Sequence, residues 1–309
     1  VKMDIELNPT SIHTPATWHT GFHIIKLLGR SKYSVFLIND LQTKESFALK
    51  LFPFENGRPC QSFYREARFT TLSHPNIVSM VGTQVKQKSA GHGKKFYASY
   101  IIMELCPYGD FADLISKTDI LNVNERLLRT YFHQFIEGID YLHSKGIAHL
   151  DLKLENLLLG KEFVLKITDF DCAYQACDGP VTKRGTLNYR APEIREGNCE
   201  EPLAADIYSA GIVLFCLKTG RYPFDEITKK DDLESFLQNE DPRFWSIHEN
   251  ATETKFHFSQ DFKRLFLSMV RKDPVERATI NEIKESKWFR GPVYTPAELK
   301  QVMSNLELF

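Results

Sequence analysis

The stretch GIAHLDLKLENLLLG, residues 146–160, constrains this chain more than any other. Its polar residues, set among leucines, are His149, Asp151, Lys153, Glu155 and Asn156. Charged side chains between apolar neighbours are costly to bury unless they are paired or perform chemistry. The alternative is a solvated turn. We therefore expect a functional site in this stretch.

Length and composition exclude several classes of protein. A chain of 309 residues, 42% hydrophobic and 26% charged, is long enough for one large domain or two lobes. Its 39 basic and 40 acidic side chains leave a net charge of −1, which favours neither a nucleic acid nor an anionic membrane as partner. The apolar run at 207–217 is about half as long as a bilayer requires, and no leader pattern opens the chain, so we expect no membrane span.

The six cysteines contain no CxxC pair, which argues against a disulfide framework or a zinc site. Reduced thiols are typical of intracellular proteins. We expect a cytoplasmic or nuclear protein.

The composition and the hydrophobic periodicity of the sequence change along the chain. Residues 1–20 contain two prolines among polar residues and predict an irregular N-terminal extension. From residue 21 to 105, short β-prone runs predict a meander of three strands, a helix ending before His74, and two more strands joined by an exposed loop at 87–95. Residues 106–291 carry long helical patterns.

The clearest helical pattern runs from residue 125 to 145. Its predicted apolar face consists of Leu127, Leu128, Tyr131, Phe132, Phe135, Ile136, Ile139 and Leu142. At the other end, residues 292–309 predict an amphipathic C-terminal helix in which Thr295 caps the N-terminus, Pro296 takes the first position and Glu298 completes a capping box. That helix either docks on the helical part or serves as an autoinhibitory or partner-binding segment.

Six motifs occur in a fixed order: LLGRSKYSVF, FALK, an acidic helix, HLDLKLEN, DFD and APE. In this order and at these intervals the chain resembles the eukaryotic protein kinases over residues 22–290. It looks closest to the Ser/Thr type, in the calmodulin-dependent and energy-sensing group. The resemblance implies an α+β, bilobal fold, with a small antiparallel-sheet N-lobe carrying one main helix and a larger, mainly helical C-lobe. It also implies ATP and Mg²⁺ as cofactors.

By the resemblance, Asp151 would accept or orient the proton of a substrate hydroxyl, and Lys153 would neutralise charge on the transferred phosphate. Asn156 and Asp169 would hold Mg²⁺, for which oxygen ligands are suited. Lys50 would hold the α and β phosphates.

Glu66, on the following helix, would pair with Lys50 in the same scheme. The run that leads from it to HPNIV is one residue shorter than is usual in the family. The alternative for Glu66 is a surface acid on an amphipathic helix.

The resemblance also assigns an adenine pocket and a substrate site. The ATP-binding residues would be Leu28, Gly29, Phe36, Ala48, Lys50, Met103, Glu104, Cys106, Asp110 and Leu158. Backbone groups of Glu104 and Cys106 would read the edge of adenine. Asp110 and Glu155 would favour Arg or Lys upstream of the target hydroxyl, whereas Cys216 stands where strongly basophilic relatives have another acid. Thr186 would lie at the substrate site, bonded near Asp151 and Lys153.

Three further residues match structural positions of the family. Glu193 of APE and Arg277 would form an ion pair that braces the larger lobe, and Asp206 would support the backbone of the catalytic loop.

The chain departs from the family pattern at several positions. Gly29 alone remains of three loop glycines, because Ser31 and Ser34 occupy the other two places. Leu150 replaces an Arg that in the family meets a phosphate on the activation segment, so phosphorylation of Thr182, the candidate site, is a weaker expectation. Asp171 replaces Gly in the metal-binding tripeptide, where we expect it to slow rearrangement of the segment.

Two functions follow from these residues. The first is an ATP-dependent Ser/Thr protein kinase acting on protein substrates, since every charged group needed for phosphoryl transfer is present. The alternative is a pseudokinase, a nucleotide-binding regulatory or scaffold module, which the depleted glycine loop, Leu150 and Asp171 favour. A regulatory partner could bind through the C-terminal helix.

Overall fold

The computed structural model describes residues 4–5, 21–30, 32–85, 99–181, 183–224, 230–250, 257–306 and 308. The predictions for Ser31, Thr182, the loop at 87–95 and most of residues 1–20 lie outside these ranges. Two compact units are present. Unit 1 comprises Val1–Pro107 with Asp169–Asp171, and unit 2 comprises Tyr108–Thr168 with Cys172–Phe309. The predicted domain boundaries at 20, 105 and 291 stay predictions.

Unit 1 is built on a six-stranded antiparallel sheet. Its elements in chain order are β1 (Asp4–Ile5), β2 (Phe22–Arg30), β3 (Ser34–Asp40), β4 (Ser46–Phe52), β5 (Phe54–Glu55), β6 (Arg58–Pro59), α1 (Gln61–Ala67), β7 (Met80–Val85) and β8 (Ser99–Glu104). The strand order in the sheet is β1-β2-β3-β4-β8-β7, and β5 pairs with β6 in a separate hairpin. The predicted meander is confirmed as β2, β3 and β4. β1, which the sequence did not indicate, pairs with β2.

Alternation of side chains along the strands gives this sheet one buried face. Its core cluster consists of Phe22, Ile38, Leu49, Tyr100 and Ile102. Because successive side chains in a strand point to opposite faces, Lys50 lies on the face opposite Leu49. It is paired with Ile101 of β8.

Helix α1 is shorter than the sequence pattern predicts. It ends at Ala67, and the chain continues in tight turns in which Phe69 N–H donates to Glu66 and Leu72 N–H donates to Phe69. Burial of Phe69 and Leu72 in those turns, together with the poor helix propensity of the two threonines between them, accounts for the early end.

Unit 2 is mainly helical. Its helices are α2 (Phe111–Lys117), α3 (Ile120–Val123), α4 (Glu125–Ser144), α5 (Pro192–Glu196), α6 (Pro202–Thr219), α7 (Lys230–Gln238), α8 (Arg243–Asn250), α9 (Gln260–Met269), α10 (Ile280–Glu285) and α11 (Pro296–Ser304). A hairpin of β9 (Leu157–Leu159) and β10 (Leu165–Ile167) follows the catalytic-loop sequence. The α+β fold expected from the sequence is confirmed.

Two core helices organise unit 2. All eight residues of the predicted apolar face of α4 are fully buried, and Asn124 caps its first turn by accepting from Leu127 N–H. Helix α6 is longer than the apolar run that the sequence shows. By length and hydropathy its 18 residues could cross a bilayer, but 83% of that window is buried within the fold, as in the core helix of a globular domain.

The C-terminal helix is docked on unit 2. Thr295 and Glu298 form the predicted capping box, and Leu299 and Met303 are buried. Arg126 of α4 donates to both carboxylate oxygens of Glu298 at 3.0 Å.

The predicted brace between Glu193 and Arg277 is confirmed. The Arg277 guanidinium donates to both carboxylate oxygens of Glu193, at 2.5 and 2.6 Å, and both residues are buried. Arg277 also donates to the carbonyls of Ala204, Arg271 and Lys272. One side chain therefore ties the end of α9 to the segment that begins α6.

Candidate active site

A charged cluster lies in unit 1. Lys50 Nζ, on β4, donates to Glu66 Oε2 on α1 at 2.6 Å and to Asp169 Oδ1 at 2.8 Å. Glu66 is fully buried, so its interpretation as a surface acid is wrong. Despite the short spacing after this residue, its carboxylate reaches Lys50.

The electrostatics of this cluster follow from two carboxylates sharing one ammonium. Burial by itself would lower the pKa of Lys50, but Glu66 and Asp169 raise it above its ordinary value and keep the ammonium charged. For Glu66, burial is the largest cause and Asp169 adds repulsion, so its pKa rises to about 7 in spite of Lys50. Glu66 therefore takes up a proton more readily than an ordinary glutamate.

The DFD tripeptide is anchored in unit 1. The Phe170 ring packs against Phe69, with ring centroids 5.5 Å apart, and Asp169 has a left-handed φ of 67°. Asp171 is not among the described residues with positive φ. Its carboxylate instead accepts from Lys32 Nζ at 2.6 Å.

Most of the residues expected around adenine lie on neighbouring strands of unit 1, whereas Leu158 lies on β9 of unit 2. Ala48 and Met103 are register partners in β4 and β8, and both are buried. A Cβ added at Gly29 would meet nothing within 4 Å, so the backbone of β2 is open to close approach there. Leu28 is exposed and Phe36 is half-buried.

The residues expected to read the edge of adenine lie at the end of β8. The Glu104 N–H donates to Ser79 O at 3.0 Å, and the Glu104 carboxylate accepts from Ser79 N–H at 2.7 Å. Cys106 lies two residues further on and is half-buried.

The catalytic-loop residues converge in unit 2. Asp151 Oδ1 accepts from Thr186 N–H at 2.7 Å and from Thr186 Oγ1 at 2.8 Å. Lys153 Nζ lies 3.1 Å from Asp151 Oδ2 and donates to Thr186 Oγ1 at 2.9 Å. Asn156 Nδ2 donates to the Asp151 carbonyl at 2.8 Å, so its amide oxygen is the atom that could bind a cation. The predicted contacts of Thr186 are confirmed.

Asp206 accepts hydrogen bonds from the backbone of the catalytic loop, as expected. Its Oδ1 accepts from Leu150 N–H at 2.8 Å and its Oδ2 accepts from His149 N–H at 2.7 Å. His143 Nε2 lies 3.0 Å from the same Oδ2. Asp206 is fully buried, and hydrogen bonds to a buried carboxylate are the strong kind.

Leu150 and Gly185 meet through their backbones. Leu150 is buried and holds a left-handed φ of 60°. A Cβ at Gly185, where φ is 82°, would lie 2.1 Å from the Leu150 carbonyl oxygen, so no other residue fits there without a shift of the backbone.

The segment that follows the DFD tripeptide is held by backbone and arginine contacts. Tyr174 pairs with Ala148 through two hydrogen bonds of 2.7 and 3.0 Å. Arg190 donates to the Gly185 carbonyl, and Val181 forms a bridge with Cys199.

The two expected substrate acids are electrically coupled. Asp110 Oδ1 accepts from Asp113 N–H and caps α2, and its residue pairs with Leu158 in a short bridge. Its pKa is raised, chiefly by burial and also by the charges of Asp113 and Glu155. The charge of Glu155 therefore acts on Asp110, whereas Cys216 is buried inside α6.

Each unit thus brings its own set of predicted residues together. Unit 1 joins Lys50, Glu66 and Asp169, and unit 2 joins Asp151, Lys153, Asn156 and Thr186. The sequence did not indicate Lys32, which contacts Asp171 of the DFD tripeptide and Ser62 of α1, and it did not indicate Ser62 itself. It also did not indicate His143, which lies beside Asp206. No motif marks these three, because their partners lie 30 to 139 residues away.

Comparison with known proteins agrees with this geometry. The protein kinase domain family matches residues 22–289, and the chain belongs to this family. CBL-interacting protein kinase 24 of Oryza sativa subsp. japonica is 34% identical over 258 residues, which are 81% of this chain and 52% of that protein. The SNF-related serine/threonine-protein kinase of Homo sapiens is 32% identical over 286 residues, 89% of this chain and 34% of that protein.

A third relative, the carbon catabolite-derepressing protein kinase of Secale cereale, is 28% identical over 281 residues, 88% of this chain and 52% of that protein. These relatives confirm the resemblance to Ser/Thr kinases and to the group expected from the motifs. The chain spans about half the length of many of the curated relatives it matches, and a third of the human one.

Proposed function

We propose that this chain transfers the γ-phosphate of ATP to Ser or Thr hydroxyls of protein substrates. The observation that carries the proposal is the arrangement around Asp151, whose carboxylate is held by Thr186 and Lys153 within hydrogen-bond distance. A carboxylate fixed in this way can orient a hydroxyl nucleophile and accept its proton. Lys153 supplies a positive charge beside the transferred group.

The charged cluster of unit 1 supports the nucleotide part of the proposal. Lys50 would hold the α and β phosphates, and Glu66 would keep its ammonium in place. Asp169 in unit 1 and Asn156 in unit 2 would each be a ligand for Mg²⁺, because each offers an oxygen of the kind that a hard cation prefers. When bound, Mg²⁺ would neutralise charge on the phosphates.

We also propose a moderate preference for basic residues upstream of the target hydroxyl. The coupling of Asp110 with Glu155 supports it, since two neighbouring acids favour a cationic side chain. A degenerate peptide library with no enrichment of upstream Arg or Lys would reject this preference.

The names of several relatives describe them as CBL-interacting, which makes a regulatory partner worth testing here. Because Leu299 and Met303 of α11 are buried against unit 2, a partner at this helix would contact its exposed side. Free cysteines support an intracellular location, cytoplasmic or nuclear.

The alternative function, a pseudokinase that binds nucleotide without transfer, is favoured by one observation. Asp171 adds a carboxylate two residues from Asp169, where the family has Gly. Phosphorylation at Thr182 is a further proposal, tested by mass spectrometry after incubation with Mg-ATP.

The deciding experiment measures Mg-ATP-dependent phosphate transfer to a degenerate Ser/Thr peptide library, with Asp151→Asn and Lys50→Met as controls. Transfer that both variants lose supports the kinase. Nucleotide binding by a folded protein that transfers no phosphate supports the pseudokinase.

A further inference from the structure

Three parts of unit 1 meet at one ammonium group. Lys32, in the loop between β2 and β3, donates from Nζ to Ser62 Oγ at 2.9 Å and to Asp171 Oδ2 at 2.6 Å. Ser62 lies in the first turn of α1 and is buried, and Asp171 closes the DFD tripeptide. We call this set of Lys32, Ser62 and Asp171 the Lys32 tie.

The Asp171 carboxylate needs this ammonium. Its side chain is 12% exposed, and its Oδ1 is buried with no hydrogen-bond partner among the described residues. A carboxylate in such surroundings is costly unless a cation is paired with it. Lys32 provides that cation, while its own stem remains largely in solvent.

The neighbouring residue, Tyr33, holds the same loop against β4 and against the residue that precedes α1. The Tyr33 ring lies 4.7 Å from the Phe52 ring, centroid to centroid, and the Tyr33 hydroxyl lies 3.7 Å from Cys60 Sγ, just before α1. The position of Lys32 therefore does not rest on its charge alone.

We propose that Lys32 is a positioning residue for phosphoryl transfer, acting through Asp171 and Ser62 to hold the DFD tripeptide against α1. In this arrangement Asp169 and Glu66 stay on the same Lys50 ammonium. The inference rests on the proposed kinase function for its kinetic consequence, but the tie itself can be tested without any transfer of phosphate. The proposal also assigns a role to Asp171, which stands where the family has Gly, since its carboxylate pairs with Lys32.

The kinetic consequence follows from population arithmetic. If the tie holds the DFD tripeptide in its binding-competent position, its loss lowers the fraction of molecules that bind Mg-ATP productively. The apparent KM for ATP then rises by the inverse of that fraction, while kcat at saturating ATP is retained. A general lesion of folding would instead lower kcat and leave KM unchanged.

The first experiment is amide hydrogen exchange of residues 169–171 in the unliganded chain. We expect Lys32→Met and Asp171→Asn each to speed exchange by about threefold or more, and the double variant to match the larger single effect, as for two residues in one contact. Lys32→Arg should restore slow exchange. Lys26→Met, an exposed lysine on β2, is the matched control.

Unchanged exchange in Lys32→Met, or effects that multiply in the double variant, would overturn the proposal. The second experiment measures KM and kcat for the same variants. An increase of about threefold in KM with kcat retained supports a positioning role, and a fall in kcat alone refutes it. A parent protein that transfers no phosphate refutes the kinase function, and the exchange data still decide the tie.

Discussion

Replacing Asp206 by Asn should weaken the support of the catalytic loop, although the Asn side chain has nearly the same size and shape as that of Asp. The carboxylate accepts two backbone N–H groups, from His149 and Leu150, on different oxygens. An amide has one oxygen, so it can accept from one of these groups while its NH₂ faces the other.

The magnitude can be worked from these contacts. A buried N–H left without an acceptor costs about 1–3 kcal/mol, and the remaining bond loses about 1 kcal/mol when its acceptor is no longer charged. We expect Asp206→Asn to lower the free energy of unfolding by about 2–4 kcal/mol. A displacement of about 1 Å at Asp151 would also reduce kcat by about a hundredfold.

Urea unfolding and steady-state kinetics at saturating ATP measure the two effects. Asp140→Asn is the matched control, because Asp140 is a partly exposed acid of α4 whose ion pair with Lys284 is worth at most about 1 kcal/mol. If Asp206→Asn unfolds at the same urea concentration as this control and retains its kcat, Asp206 does not hold the loop.

Three further predictions concern other parts of the fold. Gly185→Ala should lower kcat by at least about tenfold, because its Cβ would collide with the Leu150 carbonyl; unchanged kinetics would contradict the contact. Glu66→Gln should flatten the dependence of stability on pH: the pKa of Glu66 is raised from 4.5 to about 7, so the folded parent binds an extra proton in that interval. The free energy of unfolding of the parent, relative to that of the variant, should therefore fall as pH rises from 4.5 to 7. A difference between the two proteins that stays constant over this interval would refute the prediction. Arg277→Met should cost about 3–5 kcal/mol in urea unfolding, because it leaves a buried carboxylate unpaired, whereas exposed Arg243→Met should cost less than about 1.

The sequence was sufficient for the parts of this molecule that depend on local pattern. The apolar face of α4, the capping box at Thr295 and the strands β2 to β4 all follow from periodicity or cap chemistry over a few residues. The end of α1 did not, because it depends in part on the burial of Phe69 and Leu72 in turns, which no local pattern shows.

The site divides in the same way. Motif order identified Asp151, Lys50 and Asp169, since kinase chemistry fixes those residue types. It could not identify Lys32, because a lysine in an exposed loop looks like any surface charge until the fold brings Asp171 and Ser62 beside it.

The meeting of Leu150 with Gly185 has a consequence for how this domain can be controlled. Where a phosphate and an arginine link the activation segment to the catalytic loop, salt weakens the link and a phosphatase removes it. Here Gly185 of that segment also approaches the Leu150 carbonyl oxygen so closely that a Cβ would not fit, and neither of these two groups carries a net charge. Ionic strength has little to act on in such a contact, and no enzyme can erase it. A signal that separates Gly185 from Leu150 has to change the backbone conformation itself.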